Sequence, residues 1–120
     1  MRVMVTGGGT AGHVYPALSV VATLVGDARW QTGPEDVLWV GSEQGMEGAL
    51  VRREGLRFES VATAALRGRS PVALARGLTA MRRGAREARA LVAEWRPDVV
   101  LATGGYVSAP LVLGARRRCP

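Results

Sequence analysis

Four short apolar segments, separated by longer segments with helical periodicity, constrain the fold of this chain more than any other feature. The predicted strands are residues 2–6, 37–41, 57–62 and 98–103, three of them rich in the valines of buried parallel strands. The predicted helices are residues 14–26, 44–54 and 71–95, with another beginning near Ser108. Because parallel strands joined by helices need right-handed crossovers, this order predicts an α/β fold: a Rossmann-like parallel sheet with flanking helices, in the strand order 3-2-1-4.

The boundaries of the predicted helices carry recognisable signals. Gly55 is a natural residue just after the end of the second helix, and the third helix opens with Ser70 as N-cap followed by Pro71. Residues 27–35 are predicted to form a surface loop.

Apolar residues of the third helix recur at spacings of four and three, which predicts one buried stripe made of Leu74, Leu78, Met81, Ala85, Ala88, Val92 and Trp95.

The formal net charge of the whole chain is +6, and the basic residues are concentrated in one part of it. Seven arginines lie from Arg67 to Arg89 with Glu87 as the only acid, which points to an anionic partner. A solvated basic face and a surface facing anionic lipid or phosphate both remain open. A membrane-lying helix would need large apolar groups on its exposed side, and the pattern predicts few. With one phenylalanine, two tyrosines and no recognition motif, the sequence predicts no nucleic-acid partner.

Composition sets further bounds on a chain of 120 residues, which is one domain or part of one. No stretch approaches the roughly 18 apolar residues of a membrane span, and no signal segment opens the chain, so a cytosolic location is expected. Cys119 is the single cysteine and cannot form an internal disulfide. No cluster of His, Cys, Asp and Glu has the spacing of metal ligands, so we expect no metal and no cofactor.

The stretch MVTGGGTAGHVYPALSVV joins the first predicted strand to the first helix. Its glycines accept tight-turn conformations and let an anion approach the backbone N–H groups at the helix N-terminus. Gly7, Gly9 and Gly12 also match the dinucleotide fingerprint G-x-G-x-x-G. Such a site needs an acidic residue about 20 residues after the motif. The only nearby candidate, Glu43, lies farther along the sequence than that. A dinucleotide-binding oxidoreductase domain and a non-catalytic anion-binding module remain alternatives.

A second glycine-rich stretch, ATGGYVSAP, follows the last predicted strand. Gly104 and Gly105 form its turn, Ser108 is a plausible N-cap and Pro110 falls in the first turn of the next helix. In a doubly wound sheet the first and fourth strands are neighbours at the topological switch point, where ligands usually bind. We therefore expect both glycine stretches to face one cleft.

The motifs GGGTAGHVYPAL, GSEQGMEGALV, ALRGRS and RPDVVLATGGYVSAP occur in an order and spacing that resembles the MurG family. The resemblance spans nearly the whole chain. It implies an inverting, two-domain GT-B glycosyltransferase that transfers N-acetylglucosamine from UDP-N-acetylglucosamine to lipid I, undecaprenyl-diphospho-N-acetylmuramoyl-pentapeptide, in peptidoglycan synthesis. It further implies that the acceptor binds the N-terminal domain and the donor the C-terminal domain, and that the enzyme sits peripherally on the inner face of the cell membrane in contact with anionic lipid.

Family members are considerably longer than this chain. The resemblance therefore implies that residues 1–120 form a single, partial, Rossmann-like acceptor-binding domain without the donor domain. We expect the chain to be inactive on its own, since it would lack a donor pocket and would end before the next strand of the sheet.

The resemblance also assigns residues to the acceptor diphosphate: Gly8, Gly9, Thr10, Gly12, His13, Gly104, Gly105, Tyr106 and Ser108. Arg67 and Arg69 match a family LRGK stretch and are candidate anion contacts, with arginine where lysine is common. Glu47 lies in the matching GMEGALV stretch, for which the resemblance gives no role. Ala11 and Ala109 replace residues that are often glycine in the family.

His13 is the only histidine of the chain and lies near the start of a predicted helix. The positive end of the helix dipole favours the neutral imidazole, which can accept a proton or a hydrogen bond. Three roles remain open at this point: general base toward the acceptor hydroxyl, a hydrogen bond that positions the acceptor or the loop, and a purely structural contact.

Overall fold

The computed structural model describes residues 1–63 and 70–116, and a four-stranded parallel sheet forms its centre. The strands are β1 (Val3–Thr6), β2 (Val37–Gly41), β3 (Arg57–Ser60) and β4 (Val99–Ala102). Their spatial order is β3-β2-β1-β4, which confirms the predicted order and fold class. All four predicted strands are present, although β1, β3 and β4 are one or two residues shorter than predicted.

The central strand β1 determines where the loops leave the sheet. Val3 of β1 is paired with Val37 of β2 on one side and with Val99 of β4 on the other. At the carboxyl end Thr6 is level with Ala102, so β1 and β4 end together. Because the two strands are parallel, the segments that follow them emerge side by side at the same edge.

Four helices flank the sheet: α1 (Ala11–Gly26), α2 (Glu47–Arg53), α3 (Pro71–Trp95) and α4 (Ala109–Ala115). Short 3-10 turns occur at Ala28–Trp30, Pro34–Asp36 and Tyr106–Ser108, two of them within the predicted surface loop. The described part of the chain has no helix that is long and apolar enough to span a membrane.

Two helix starts differ from the prediction. Helix α1 begins at Ala11 rather than at residue 14, which puts Pro16 inside the helix and leaves the Gly12 carbonyl without its usual N–H donor. The earlier start also places His13 in the first helical turn. Helix α2 begins only at Glu47, after a turn closed by a hydrogen bond from the Gly45 N–H to the Ser42 carbonyl.

Two predicted caps are confirmed. The Ser70 hydroxyl accepts a hydrogen bond from the Ala73 N–H at 3.1 Å at the start of α3. Gly55 follows Glu54, the C-cap of α2, with a φ of 74°, a left-handed conformation that favours glycine.

Apolar side chains pack on both faces of the sheet. One core cluster joins alternate strand residues, among them Val5, Trp39 and Phe58, to Val14 of α1 and Val51 of α2. The opposite cluster joins the intervening residues Met4, Leu38 and Val40 to side chains of α3 and α4, namely Ala88, Val92, Leu111 and Ala115. The alternation of a buried strand therefore places α1 and α2 on one face and α3 and α4 on the other.

The predicted buried stripe of α3 is wrong for its N-terminal half. Ala88 and Val92 are buried, but Leu74 and Leu78 are each 49% exposed and Val72 is also exposed. A helix of 25 residues is about 37 Å long, whereas a five-residue strand spans about 17 Å. The first turns of α3 therefore extend beyond the part of the sheet that could cover them.

The packing of α3 against the segment after β3 depends on Gly84. A Cβ atom at this position would overlap the Ala62 carbonyl oxygen, which is backbone and cannot turn aside. We expect Gly84→Ala to lower the free energy of unfolding by about 2–3 kcal/mol, because the helix must move away from the sheet.

Gly26→Ala is the matched control, because Gly26 lies at the end of α1 with no atom within 4 Å of the added carbon. We expect this change to leave stability equal or to raise it by up to about 1 kcal/mol. Urea unfolding followed by circular dichroism measures both variants. Equal midpoints for the two variants would contradict the close packing at Gly84.

Candidate functional site

The two glycine loops touch each other at the carboxyl edge of the sheet. The first glycine loop is residues 7–10, between β1 and α1, and the second glycine loop is residues 103–105, after β4. A Cβ atom on Gly105 would overlap the Gly8 carbonyl oxygen, and one on Gly9 would lie 3.0 Å from the Tyr106 ring. These close approaches confirm that both loops lie at the same edge of the sheet, whereas a shared ligand cleft stays a prediction.

A reciprocal pair of hydrogen bonds holds His13 against the second glycine loop. The Thr103 hydroxyl donates to the His13 carbonyl oxygen at 2.6 Å, and His13 Nδ1 lies 3.0 Å from the Thr103 carbonyl oxygen. Because a carbonyl oxygen can only accept, Nδ1 carries the proton. The neutral ring then has its lone pair on Nε2, which has no hydrogen-bond partner among the described residues.

The backbone of Gly104 and Gly105 packs against the imidazole of His13. Added Cβ atoms would be 3.3 Å from ring atoms of His13 at either position. The φ angles are 104° and 85°, which residues with side chains rarely adopt. The second glycine loop therefore needs glycine both for its backbone conformation and for space beside His13.

Backbone N–H groups at the start of α1 are the candidate anion donors of this site. The His13 N–H donates to the Thr10 carbonyl. No acceptor within the described parts of the chain is recorded for the amides of Thr10, Ala11 and Gly12. Thr10 and Gly12 are exposed. Three adjacent unpaired donors at the positive end of a helix suit a phosphate group.

Ser108 occupies the predicted N-cap position of α4, but not with the hydrogen bond typical of a cap. Its side chain makes no capping bond; instead its buried hydroxyl donates to the Gly104 carbonyl oxygen at 2.7 Å and so holds the second glycine loop. Tyr106 is exposed at the rim of the cleft. Their assignment to an acceptor diphosphate, like that of Gly8, Gly9, Gly104 and Gly105, stays a prediction.

The predicted anion contacts Arg67 and Arg69 lie outside the described residues. Far from the glycine loops, Arg29 hydrogen-bonds the Asp27 carboxylate and lowers the pKa of Asp27. This pair follows α1 at the opposite end of the sheet from the glycine loops.

Sequence reasoning gave no role to Glu47, which is 0% exposed beneath the first glycine loop. Its Oε1 accepts a hydrogen bond from the Ser42 N–H at 2.9 Å and its Oε2 accepts one from the Gly9 N–H at 3.4 Å. Gly8, Gly41 and Gly45 surround the carboxylate. The available sequence signal was the group of glycines around Glu47 in GSEQGMEG, namely Gly41, Gly45 and Gly48.

The fold is a Rossmann-like α/β domain in which two glycine loops, unpaired helix N-terminal amides and a histidine lie together at one edge of the sheet. The N-terminal domain of glycosyltransferase family 28 matches residues 3–119, and the chain belongs to this family.

Two bacterial relatives illustrate the similarity. Each is named UDP-N-acetylglucosamine–N-acetylmuramyl-(pentapeptide) pyrophosphoryl-undecaprenol N-acetylglucosamine transferase. The relative from Roseiflexus sp. is 42% identical over 99% of this chain, and the one from Desulforudis audaxviator is 43% identical over 98%. In both alignments the chain spans 31% of the length of the relative.

A solved structure shows the same fold. The crystal structure of Acinetobacter baumannii MurG superposes on 99% of this chain with a TM-score of 0.77 and 28% identity, and the match covers 33% of the MurG chain. The described sheet and its helices thus correspond to about one third of that enzyme.

The contact between the loops generates a test at Gly105. We expect Gly105→Ala to separate the loops, because the added methyl overlaps the Gly8 carbonyl oxygen and the φ of 85° with a ψ of 160° is essentially restricted to glycine. The expected loss of stability is about 2–3 kcal/mol, with a changed NMR environment of the His13 ring.

Gly55→Ala provides the control, because Gly55 also has a positive φ but nothing lies within 4 Å of an added carbon. It should cost about 1 kcal/mol and leave the His13 signals in place. Unaltered His13 signals in a folded Gly105→Ala variant would show that the loops do not depend on this contact.

Proposed function

We propose that this chain is the acceptor-binding part of an inverting glycosyltransferase of peptidoglycan synthesis. The enzyme would transfer N-acetylglucosamine from UDP-N-acetylglucosamine to undecaprenyl-diphospho-N-acetylmuramoyl-pentapeptide, the lipid-linked acceptor named in its relatives. Residues 1–120 would bind this acceptor, and the donor would bind the part of the enzyme that the relatives have in addition. Family membership favours this function over the dinucleotide-binding alternative.

The observation that carries the proposal is that His13, whose Nε2 has no hydrogen-bond partner among the described residues, directly follows the unpaired amides of Thr10, Ala11 and Gly12. The acceptor diphosphate would bind the N–H groups of Thr10, Ala11 and Gly12. That would leave the sugar attached to the diphosphate near the imidazole. Arg67 and Arg69 would add positive charge.

His13 would act as the general base. The acceptor hydroxyl oxygen attacks the anomeric carbon of the donor on the face opposite UDP, and its proton passes to Nε2. The bond to UDP breaks, the diphosphate leaves with the electron pair, and the configuration inverts. The Thr103 carbonyl oxygen holds the Nδ1 proton at 3.0 Å and would stabilise the imidazolium that forms.

Ligand titration of the 15N-labelled chain tests this proposal. Farnesyl-diphosphoryl-N-acetylmuramoyl-pentapeptide, a short-chain acceptor, should shift the amide signals of Thr10–Gly12 and the ring signals of His13. The corresponding monophosphate should bind about tenfold more weakly, because one phosphate and its charge-assisted hydrogen bonds are lost.

UDP-N-acetylglucosamine is the comparison ligand, and we expect it to leave all signals in place. Tight binding of this donor, or binding of NAD, would contradict the division of roles proposed for the two parts of the enzyme. The chain alone should also release no UDP from acceptor and donor together, because no group that would hold the donor is expected in this part of the enzyme.

We further propose that the N-terminal half of α3 contacts the anionic, cytoplasmic surface of the cell membrane. Exposed Leu74 and Leu78 lie one helical turn apart, and Arg82 follows on the same stripe. This arrangement corrects the expectation that the helix exposes few large apolar groups. Apolar side chains flanked by arginine suit insertion at the headgroup boundary.

Vesicle co-sedimentation tests the membrane contact. The double variant Leu74→Ser, Leu78→Ser should bind vesicles containing phosphatidylglycerol about tenfold more weakly, because it removes two half-exposed apolar side chains. The control is Val112→Ser, Leu113→Ser in α4, whose side chains are similarly exposed at 47% and 45%. Equal losses in the two variants would remove α3 as the specific docking surface.

A further inference from the structure

Glu47 is the only charged side chain among residues 1–63 and 70–116 that is fully buried. No ion pair within this described part of the chain involves it, whereas Glu43, on the loop that leads into α2, reaches Arg52 at 4.0 Å. Burial of a carboxylate without a cation is costly unless hydrogen bonds compensate. Its presence beneath a loop that would bind a diphosphate therefore requires a specific reason.

The two carboxylate oxygens connect two different loops. Oε1 accepts from the N–H of Ser42, the first residue of the loop that follows β2, and Oε2 accepts from the N–H of Gly9 in the first glycine loop. Both donors are backbone N–H groups, so the connection depends on the carboxylate alone. The surrounding glycines leave the space it occupies, since Cβ atoms at Gly8, Gly41 or Gly45 would lie within about 3 Å of the Glu47 side chain.

We propose that Glu47 is a positioning residue for the diphosphate: it turns the Gly9 N–H inward and thereby leaves the Thr10, Ala11 and Gly12 N–H groups directed at the ligand. This inference rests on the proposed function of the first glycine loop. Gly9, assigned to the diphosphate by family resemblance, then contributes its conformation, with a φ of 81°, rather than its N–H group.

Positioning and simple electrostatics predict opposite effects of removing the charge. A negative charge beneath the cleft repels a diphosphate, so its removal alone would tighten binding. If Glu47 instead holds the first glycine loop in its binding conformation, removal of the charge weakens diphosphate binding. Glutamine has nearly the same shape but only one acceptor oxygen, so its NH2 group would face one of the two backbone donors and release it.

The test compares Glu47→Gln with Glu43→Gln in the complete 120-residue chain, using the farnesyl-diphosphoryl acceptor as the probe. We expect the dissociation constant to rise about tenfold for Glu47→Gln. Glu43→Gln removes an exposed charge from the loop that leads into α2, and for this variant we expect the dissociation constant to change by less than about twofold. Unchanged or tighter binding by folded Glu47→Gln would overturn the proposal.

Hydrogen exchange of the unsubstituted chain provides a second measurement that does not depend on the folding of a variant. The Gly9 amide should exchange more slowly than the amides of Thr10 and Gly12, and the acceptor should shift it less than either. Fast exchange of Gly9 or a shift as large as that of Gly12 would overturn the proposal. If the chain binds no acceptor, the proposed function fails. Exchange of the Gly9 amide without ligand still tests whether Glu47 holds the first glycine loop.

Discussion

The close approach of two backbones, Gly105 to the carbonyl oxygen of Gly8, is the constraint on which the candidate site depends. It exists because β1 and β4 are parallel neighbours that end at the same level, so the segments after them meet. Residues without side chains allow the segments to touch. The Thr103–His13 hydrogen bonds then fix the imidazole at this junction, which couples the position of the candidate base to the topology of the sheet.

Buried and exposed groups are separated around the first glycine loop. Glu47 lies buried beneath this loop, whereas the unpaired amides of Thr10 and Gly12 belong to exposed residues. In the proposed function the amides would bind the phosphates, Glu47 would hold the loop in place, and α3, on the other face of the sheet, would contact the membrane.

Local signals and pairing rules made much of this fold predictable. The strand order followed from the β-α alternation, and the caps at Ser70 and Gly55 followed from backbone preferences that act within a few residues. The exposure of Leu74 was not predictable, because periodicity shows which side of a helix is apolar but not how far the sheet extends beneath it. The roles of Glu47 and Thr103 depend on contacts between segments distant in sequence, which no local pattern encodes.

The tautomer of His13 tests the central claim that the junction of the loops presents Nε2 as a base. The chain has one histidine, so long-range 1H–15N correlation spectra of the neutral ring give a single, unambiguous assignment. We expect a protonated Nδ1 and an unprotonated Nε2, because Nδ1 faces the Thr103 carbonyl oxygen at 3.0 Å. A neutral ring that carries its proton on Nε2 would contradict both the geometry of the junction and the proposed proton transfer.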